Sequence, residues 1–432
     1  MKHTGKVLWA PKAWINGAWQ SRVSLELDDK GLWAAITADT AAPSAHAQLL
    51  SGPVLPGIVN AHSHAFQRAF AGLAECREGD ADDFWSWRHQ MYGVALQITP
   101  EAMYATAKQL YTELQQGGYT HTCEFHYLHH QVSGLPYPNP IEMSLALVQA
   151  AVDTGMGLTL LPVLYERAGF TLPALRDDQR RFATDVNAVL SLRDGVRAHV
   201  ANQRLNNITV GVAVHSLRAA CAESIAELWR AVKDDPAPIH IHIAEQTGEV
   251  EDCVAATGQR PIEWLCNGLG QGIDIDARWH LVHATHATHA EIDAVARTGA
   301  GMVLCPSTEA NLGDGLTDLP YWLQRGVPMS IGSDSHVTRD WREELRLAEY
   351  GQRLVHRQRN VLADPNRFGG STAARLFEQA IHAGGLAAGF ERWGIEVGAR
   401  ADWVAIDSAE IDHTLDREVF SSPGKAFSLT KN

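Results

Sequence analysis

Ile239-His240-Ile241-His242-Ile243-Ala244-Glu245 alternates between isoleucine and histidine before it ends on an acid. A period of two is a strand signal and sends alternate side chains to opposite faces. The isoleucines face covering helices, so His240 and His242 look inward. Seven further β-like runs accompany this one, at 53–60, 117–127, 157–166, 207–216, 279–286, 301–309 and 327–336. Segments of helical period lie between them, at 99–116, 139–155, 178–200, 221–234 and 288–298. The first of these carries Thr99 as N-cap, Glu101 in its first turn and Gly117 past its end. Strands alternating with helices predict an α/β protein with a parallel sheet, and eight repeats predict closure into a (β/α)8 TIM-like barrel. Two long helices, near 340–360 and 371–386, lead out of it.

The chain ends read differently. Residues 6–10 and 31–36, and again 394–398 and 401–407, have the pattern of short antiparallel strands with turns. The expectation is a small β-sandwich domain built from 1–52 and 388–432 beside a barrel of 53–387. The stretch 65–98 is too long for a plain loop and is expected to carry function.

Composition narrows the function classes. Of 432 residues, 45% are hydrophobic and 20% charged, enough apolar surface for a full core and incompatible with disorder. Asp plus Glu outnumber Lys plus Arg by 50 to 36, a net charge of −14. This argues against nucleic acid or anionic membrane as partner. An anionic small molecule stays open if its site supplies local cations. No 18-residue apolar run predicts a membrane span, and no apolar signal-peptide stretch follows the first residues. The six cysteines (76, 123, 221, 253, 266 and 305) form no Cys-x-x-Cys pair and are expected as reduced thiols of a cytoplasmic protein.

Histidine is the outlier, with 21 copies. His62-Ser63-His64 ends the first run, His242 lies on the fifth, His283 ends the sixth, and Asp334 ends the eighth. Such barrels keep their chemistry at the C-terminal strand ends. Three imidazoles and a carboxylate gathered there suit Zn²⁺ with a position left for water, and ligand type leaves Fe²⁺ or Mn²⁺ open. An ion in such a site brings the pKa of bound water toward ~7. Glu245, three residues after His242, is placed to take a proton from that water and return it to a leaving nitrogen. Arg88 and Arg218 stand by the expected mouth and suit bidentate binding of carboxylates. Gln67 and Tyr127 can add hydrogen bonds. Two arginines make a small anionic dicarboxylate the expected substrate class.

His62-x-His64, His242, His283 and Asp334, in this order, resemble the amidohydrolase superfamily over nearly the whole chain. The resemblance implies His62, His64, His242 and Asp334 as ligands, with His283 beside the metal in a ligand or catalytic role. Two-metal members of the superfamily bridge their ions with a carboxylated lysine on the fourth strand. Here no lysine occurs between Lys108 and Lys233, and that strand ends in His215, so one ion per subunit is expected.

Longer stretches sharpen the likeness. Asn60–Leu73, His215-Ser216-Leu217-Arg218, His242-Ile243-Ala244-Glu245-Gln246 and Cys305–Gly315 resemble the formimidoylglutamate deiminases. That family converts N-formimino-L-glutamate to N-formyl-L-glutamate and ammonia in histidine degradation, using one zinc. By match, Gln67, Arg88, Tyr127, His215 and Arg218 contact substrate, while Glu245, His283 and Asp334 transfer protons; a homodimer is implied as well. Val214, Val59 and Ala61 depart from the family's commoner residues, so N-formimino-L-aspartate stays as an alternative. A heterocycle such as guanine or cytosine is another. A non-catalytic binding protein on the same barrel would have lost a ligand or Glu245, and neither is missing.

Other histidines read as structural. His240 shares a face with His242 but lies one layer deeper, so it is expected in the core. His286 and His289 fall in a loop and a helix start. His126, His129 and His130 cluster without ligand spacing, and His336 is expected near Asp334. Glu309 and Asn311, read as the end of the seventh strand, border the expected pocket.

Overall fold

The computed structural model describes residues 5–75, 84–406 and 414–421. Cys76, and the stretches 407–413 and 422–432 expected in the terminal domain, lie outside the described residues. The chain opens with a hairpin of Val7–Ile15 and Ala18–Leu27. Asn16 and Gly17 turn it, both at positive φ (50° and 77°), the requirement of a two-residue turn matched to strand twist. Trp33–Thr37 pairs with the second strand, and Val54–Pro56 and then Trp403–Ala405 extend the other edge. One face of this sheet buries Leu8, Val23, Leu25, Trp33, Ile395 and Trp403 in a core of its own.

Three details differ from the sequence reading. Residues 394–398 form bends and a turn instead of a strand, because Gly394 and Gly398 sit at φ 128° and 86°. Val54–Pro56 pairs in the terminal sheet, so the chain crosses to the barrel at Gly57 and not at residue 53. Leu415–Phe420 is a helix packed on barrel helices Trp341–His356 and Thr372–Ala387, not part of the terminal sheet.

Eight parallel strands build the barrel: Ile58–Ser63, Tyr119–His126, Gly157–Leu164, Val212–Ser216, Ile239–Ile243, Trp279–His283, Gly301–Leu304 and Met329–Ile331. A short strand, Ile208–Val210, precedes the fourth and pairs with the third. The ring closes between the eighth and the first. Ser63 bridges Asp334, and the Asp334 amide donates to the His62 carbonyl at 3.0 Å. Gly332 permits that approach, since a Cβ there would stand 2.6 Å from the His62 Cβ. Asn60 locks the seam by accepting from the Ser333 amide (2.7 Å) and donating to the Ser333 hydroxyl (2.9 Å).

The seventh strand is shorter than its sequence pattern. It stops at Leu304, and Pro306 opens the helix Pro306–Leu312, a position where a missing N–H costs nothing. Glu309 and Asn311 therefore ride on a helix at the barrel mouth. The long segment after the first strand contains the helix Phe84–Ala95, which lies beside the same mouth.

The opposite end of the barrel is plugged by the C-terminus of Thr372–Ala387. A helix end leaves carbonyls without partners. Here His240 Nε2–H donates to the Ala387 carbonyl (2.8 Å) and the Thr159 hydroxyl to the Ala388 carbonyl (3.0 Å). The His280 ring packs beside that of His240, centroids 5.0 Å apart. His240, one layer below His242, is thus a fully buried core residue that caps a helix.

Candidate metal centre and its pocket

Four of the predicted side chains converge at the mouth. His62 Nε2 lies 3.1 Å from His64 Nε2 and 3.0 Å from His242 Nε2. Asp334 Oδ1 stands 3.5 Å from His62 Nε2 and 3.4 Å from His64 Nε2. Bonds of ~2.0–2.1 Å to one tetrahedral ion put ligand atoms about 3.3 Å apart, a spacing these four pairs approach, and His62 is the member shared by two ligand-type triads, His62–His64–His242 and His62–His283–Asp334. The ring tautomer agrees. His64 Nδ1–H donates to the Phe125 carbonyl at 2.9 Å, which leaves the Nε2 lone pair facing the centre. Burial pushes His62 down to about 4 and His64 to about 3, and holds His242 well below the usual imidazole range, so all three rings are neutral donors. Burial works against the Asp334 carboxylate, yet the adjoining His62, His283 and His64 outweigh it and hold the acid ionised.

Backbone strain marks these strand ends. His283 and Asp334 adopt left-handed φ of 70° and 44°, which non-glycine residues take only when the surroundings impose it. Around them, buried groups hold the backbone. Glu124 accepts from the Ala65 amide (2.6 Å) and the Ser63 hydroxyl (2.9 Å), and His336 Nε2–H donates to the His64 carbonyl (3.1 Å).

His283 Nε2 faces Glu245 Oε1 at 3.6 Å and Asp334 Oδ2 at 3.8 Å, while its Nδ1 faces Glu309 Oε1 at 3.5 Å. Burial opposes a charge on this ring, but the three acids prevail and push it up to about 10. Burial raises the Glu245 carboxyl above its ordinary value. The mouth thus holds groups able to accept and to release protons beside the ligand set.

Glu245, His283, Asp334, Gln67, Arg88, Tyr127, His215 and Arg218 line one pocket together with His64 and His242, and His62 lies fully buried beneath. Gln67 donates to the Tyr127 hydroxyl (3.2 Å), and its buried Oε1 meets no protein partner among the described residues. The His215 ring stacks edge-on to Tyr165, centroids 4.2 Å apart. The Arg88 guanidinium stands 5.6 Å over the Tyr92 ring. Arg218 Nη1 stands 3.6 Å from Glu249 Oε2. Burial disfavours the Arg218 charge, and Glu249 with Glu245 more than offsets it.

Sequence reading missed several wall residues. Trp87, Met91, Tyr92 and Leu312 also line the cavity. The i,i+4 spacing of Trp87 with Met91 and of Arg88 with Tyr92 is the signal that could have found them, once 84–95 is read as a helix. Glu249, an acid in the first turn of Thr247–Thr257, gave no sequence sign of its burial. Among the described residues no helix is long and apolar enough to cross a membrane.

Formimidoylglutamate deiminase of Pseudomonas aeruginosa is 44% identical over 96% of this chain and 90% of its own length. A 5-methylthioadenosine/S-adenosylhomocysteine deaminase of Haloarcula marismortui is 26% identical over 82% of this chain and 73% of its own. Among solved structures, an amidohydrolase from Brucella melitensis superposes with a TM-score of 0.90 at 41% identity, covering 98% of this chain and 92% of that one. An adenosine deaminase from Xanthomonas campestris, solved with bound zinc, shares the fold at a TM-score of 0.76 and 22% identity, covering 98% and 90%. The family model described as "Amidohydrolase family" matches residues 54–429, so the chain belongs to the amidohydrolase family.

Proposed function

We propose that this protein hydrolyses the C=N bond of N-formimino-L-glutamate, releasing ammonia and N-formyl-L-glutamate, with one Zn²⁺ held by His62, His64, His242 and Asp334. The observation that carries the reading is the ligand-type cluster sharing one small cavity with Arg88 and Arg218. The 44% identity to a formimidoylglutamate deiminase supports the choice of substrate.

When bound, the ion supplies Lewis acidity and brings the pKa of a water from 15.7 toward ~7. The chain's own groups do the rest. Arg88 and Arg218 bind the two carboxylates, and Gln67, Tyr127 and His215 orient the amidine end. Glu245 takes a proton from the attacking water and delivers it to the imino nitrogen. His283 donates toward the developing charge, with Glu309 Oε1 standing 3.5 Å from its Nδ1. Asp334 accepts the second proton as the carbon–oxygen single bond becomes a carbonyl, and returns it to the same nitrogen. The carbon–nitrogen bond then breaks, and ammonia leaves carrying the transferred protons. One water is consumed per ammonia, and no redox partner is needed.

The test is ammonia release from N-formimino-L-glutamate by the zinc-loaded protein, abolished by a chelator and restored by Zn²⁺. No release from protein shown to contain one equivalent of zinc would reject the reading. N-formimino-L-aspartate assayed in parallel decides between the two chain lengths.

A further inference from the structure

Glu249 is a fully buried carboxylate outside the groups used above. Its Oε2 accepts from the Glu245 amide at 3.1 Å and stands 3.6 Å from Arg218 Nη1. One oxygen atom therefore joins the loop after the fifth strand to the loop after the fourth. The first carries Glu245, assigned to proton transfer; the second carries Arg218, assigned to a substrate carboxylate. Glu249 itself sits in the first turn of the helix Thr247–Thr257, so the link is anchored to a rigid element. Glu249 Oε1 is buried and meets no protein partner among the described residues, so the single link is made through Oε2.

We infer that Glu249 is a positioning residue that sets the distance between the carboxylate anchor and the proton-transfer group, and so the length of substrate the site accepts. The inference rests on the proposed function for its substrate, but not for its geometry. An extended linear acid is held at one end by Arg218 and must present its amidine carbon beside Glu245. Letting either group drift relative to the other misplaces that carbon, and misplacement by about an ångström is enough to cost ~10²-fold in rate.

Three variants of the full zinc-loaded protein test this: Glu249→Gln, Glu249→Asp and the double variant Glu249→Gln/Arg218→Met. Gln keeps an acceptor for the Glu245 amide and loses the charge facing Arg218. The expected result is a KM raised about tenfold together with a kcat lowered about tenfold or more. Asp withdraws the carboxylate by one methylene. The ratio of kcat/KM for N-formimino-L-glutamate over N-formimino-L-aspartate should then change by about tenfold or more. In the Arg218→Met background, Glu249→Gln should raise KM no further, since coupled residues are non-additive. Calorimetry with glutarate repeats the Gln comparison without chemistry, and a roughly tenfold weaker Kd is expected. Should wild type release no ammonia while glutarate affinity still depends on Glu249, the substrate reading fails and this inference stands. An unchanged KM, length ratio and glutarate Kd in well-folded variants, or fully additive effects with Arg218→Met, overturns it.

Discussion

The mouth and the floor of this barrel both hold buried histidines, and they do opposite things. At the mouth, His64 and His242 bring their Nε2 atoms within 3.0–3.1 Å of His62 Nε2. On the floor, His240 spends its Nε2–H on a helix carbonyl, and the His280 ring packs beside it. His240 and His242 are two residues apart on one strand, share a face and are both buried. What separates them is where the Nε2 atoms point: toward other ring nitrogens at one end, and toward a helix terminus at the other. Burial and neutrality are common to both and so do not distinguish them; convergence is what marks the mouth group as candidate ligands.

Substitutions can break this comparison. The largest effect is expected at the mouth. His242→Asn should lower bound zinc to a small fraction of an equivalent and activity by at least ~10³-fold, read by elemental analysis and ammonia assay. A variant with full zinc content would remove His242 from the ligand set. Next comes Glu245→Gln, which should retain zinc yet lose ~10²–10⁴-fold in kcat, the usual worth of a positioned acid–base group.

Arg218→Met and Arg88→Met are expected to act on KM. Each removes a charge-assisted contact of ~1.5–3 kcal/mol, equivalent to roughly 10–150-fold in kcat/KM. Steady-state kinetics check this, and an unchanged KM in both would dissolve the dicarboxylate pocket.

The floor sharpens the comparison from its other side. His240→Leu leaves the Ala387 carbonyl with only the weak Cys123 thiol donor (3.6 Å), at a cost of ~1–3 kcal/mol in stability. Zinc content should stay at one equivalent, with the loss read from chemical denaturation. Loss of zinc in this variant would mean that the two layers are not separable.

The smallest effect concerns pH. Burial pushes His280 down to about 4 from 6.5. Between those values the unfolded chain binds more protons at this site than the folded one, so stability rises with pH across that window. The contribution is complete above 6.5 and is lost as pH falls through 4. His280→Asn should flatten the dependence of the denaturation midpoint between pH 4.5 and 7, and an unaltered slope would contradict the assignment.

Sequence alone determined the architecture, because alternation of strands and helices is a local property that survives without neighbours. It also determined the candidate ligands, since His62-x-His64, His242 and Asp334 stand at strand ends and a barrel brings strand ends together. Other features had no local signature. Pro306 ended the seventh strand early and moved Glu309 onto a helix facing His283; Val54–Pro56 left the barrel for the terminal sheet; and Glu249 became a buried link between two loops. Each depends on which groups from distant stretches arrive at the same point, and an acid reads the same in sequence whether it will be solvated or paired. Only the tertiary structure decided that His242 should turn its lone pair toward other donors while His240 turned its proton toward a helix end, because a ring's role is set by the partners within hydrogen-bonding reach and those partners lie far away along the chain.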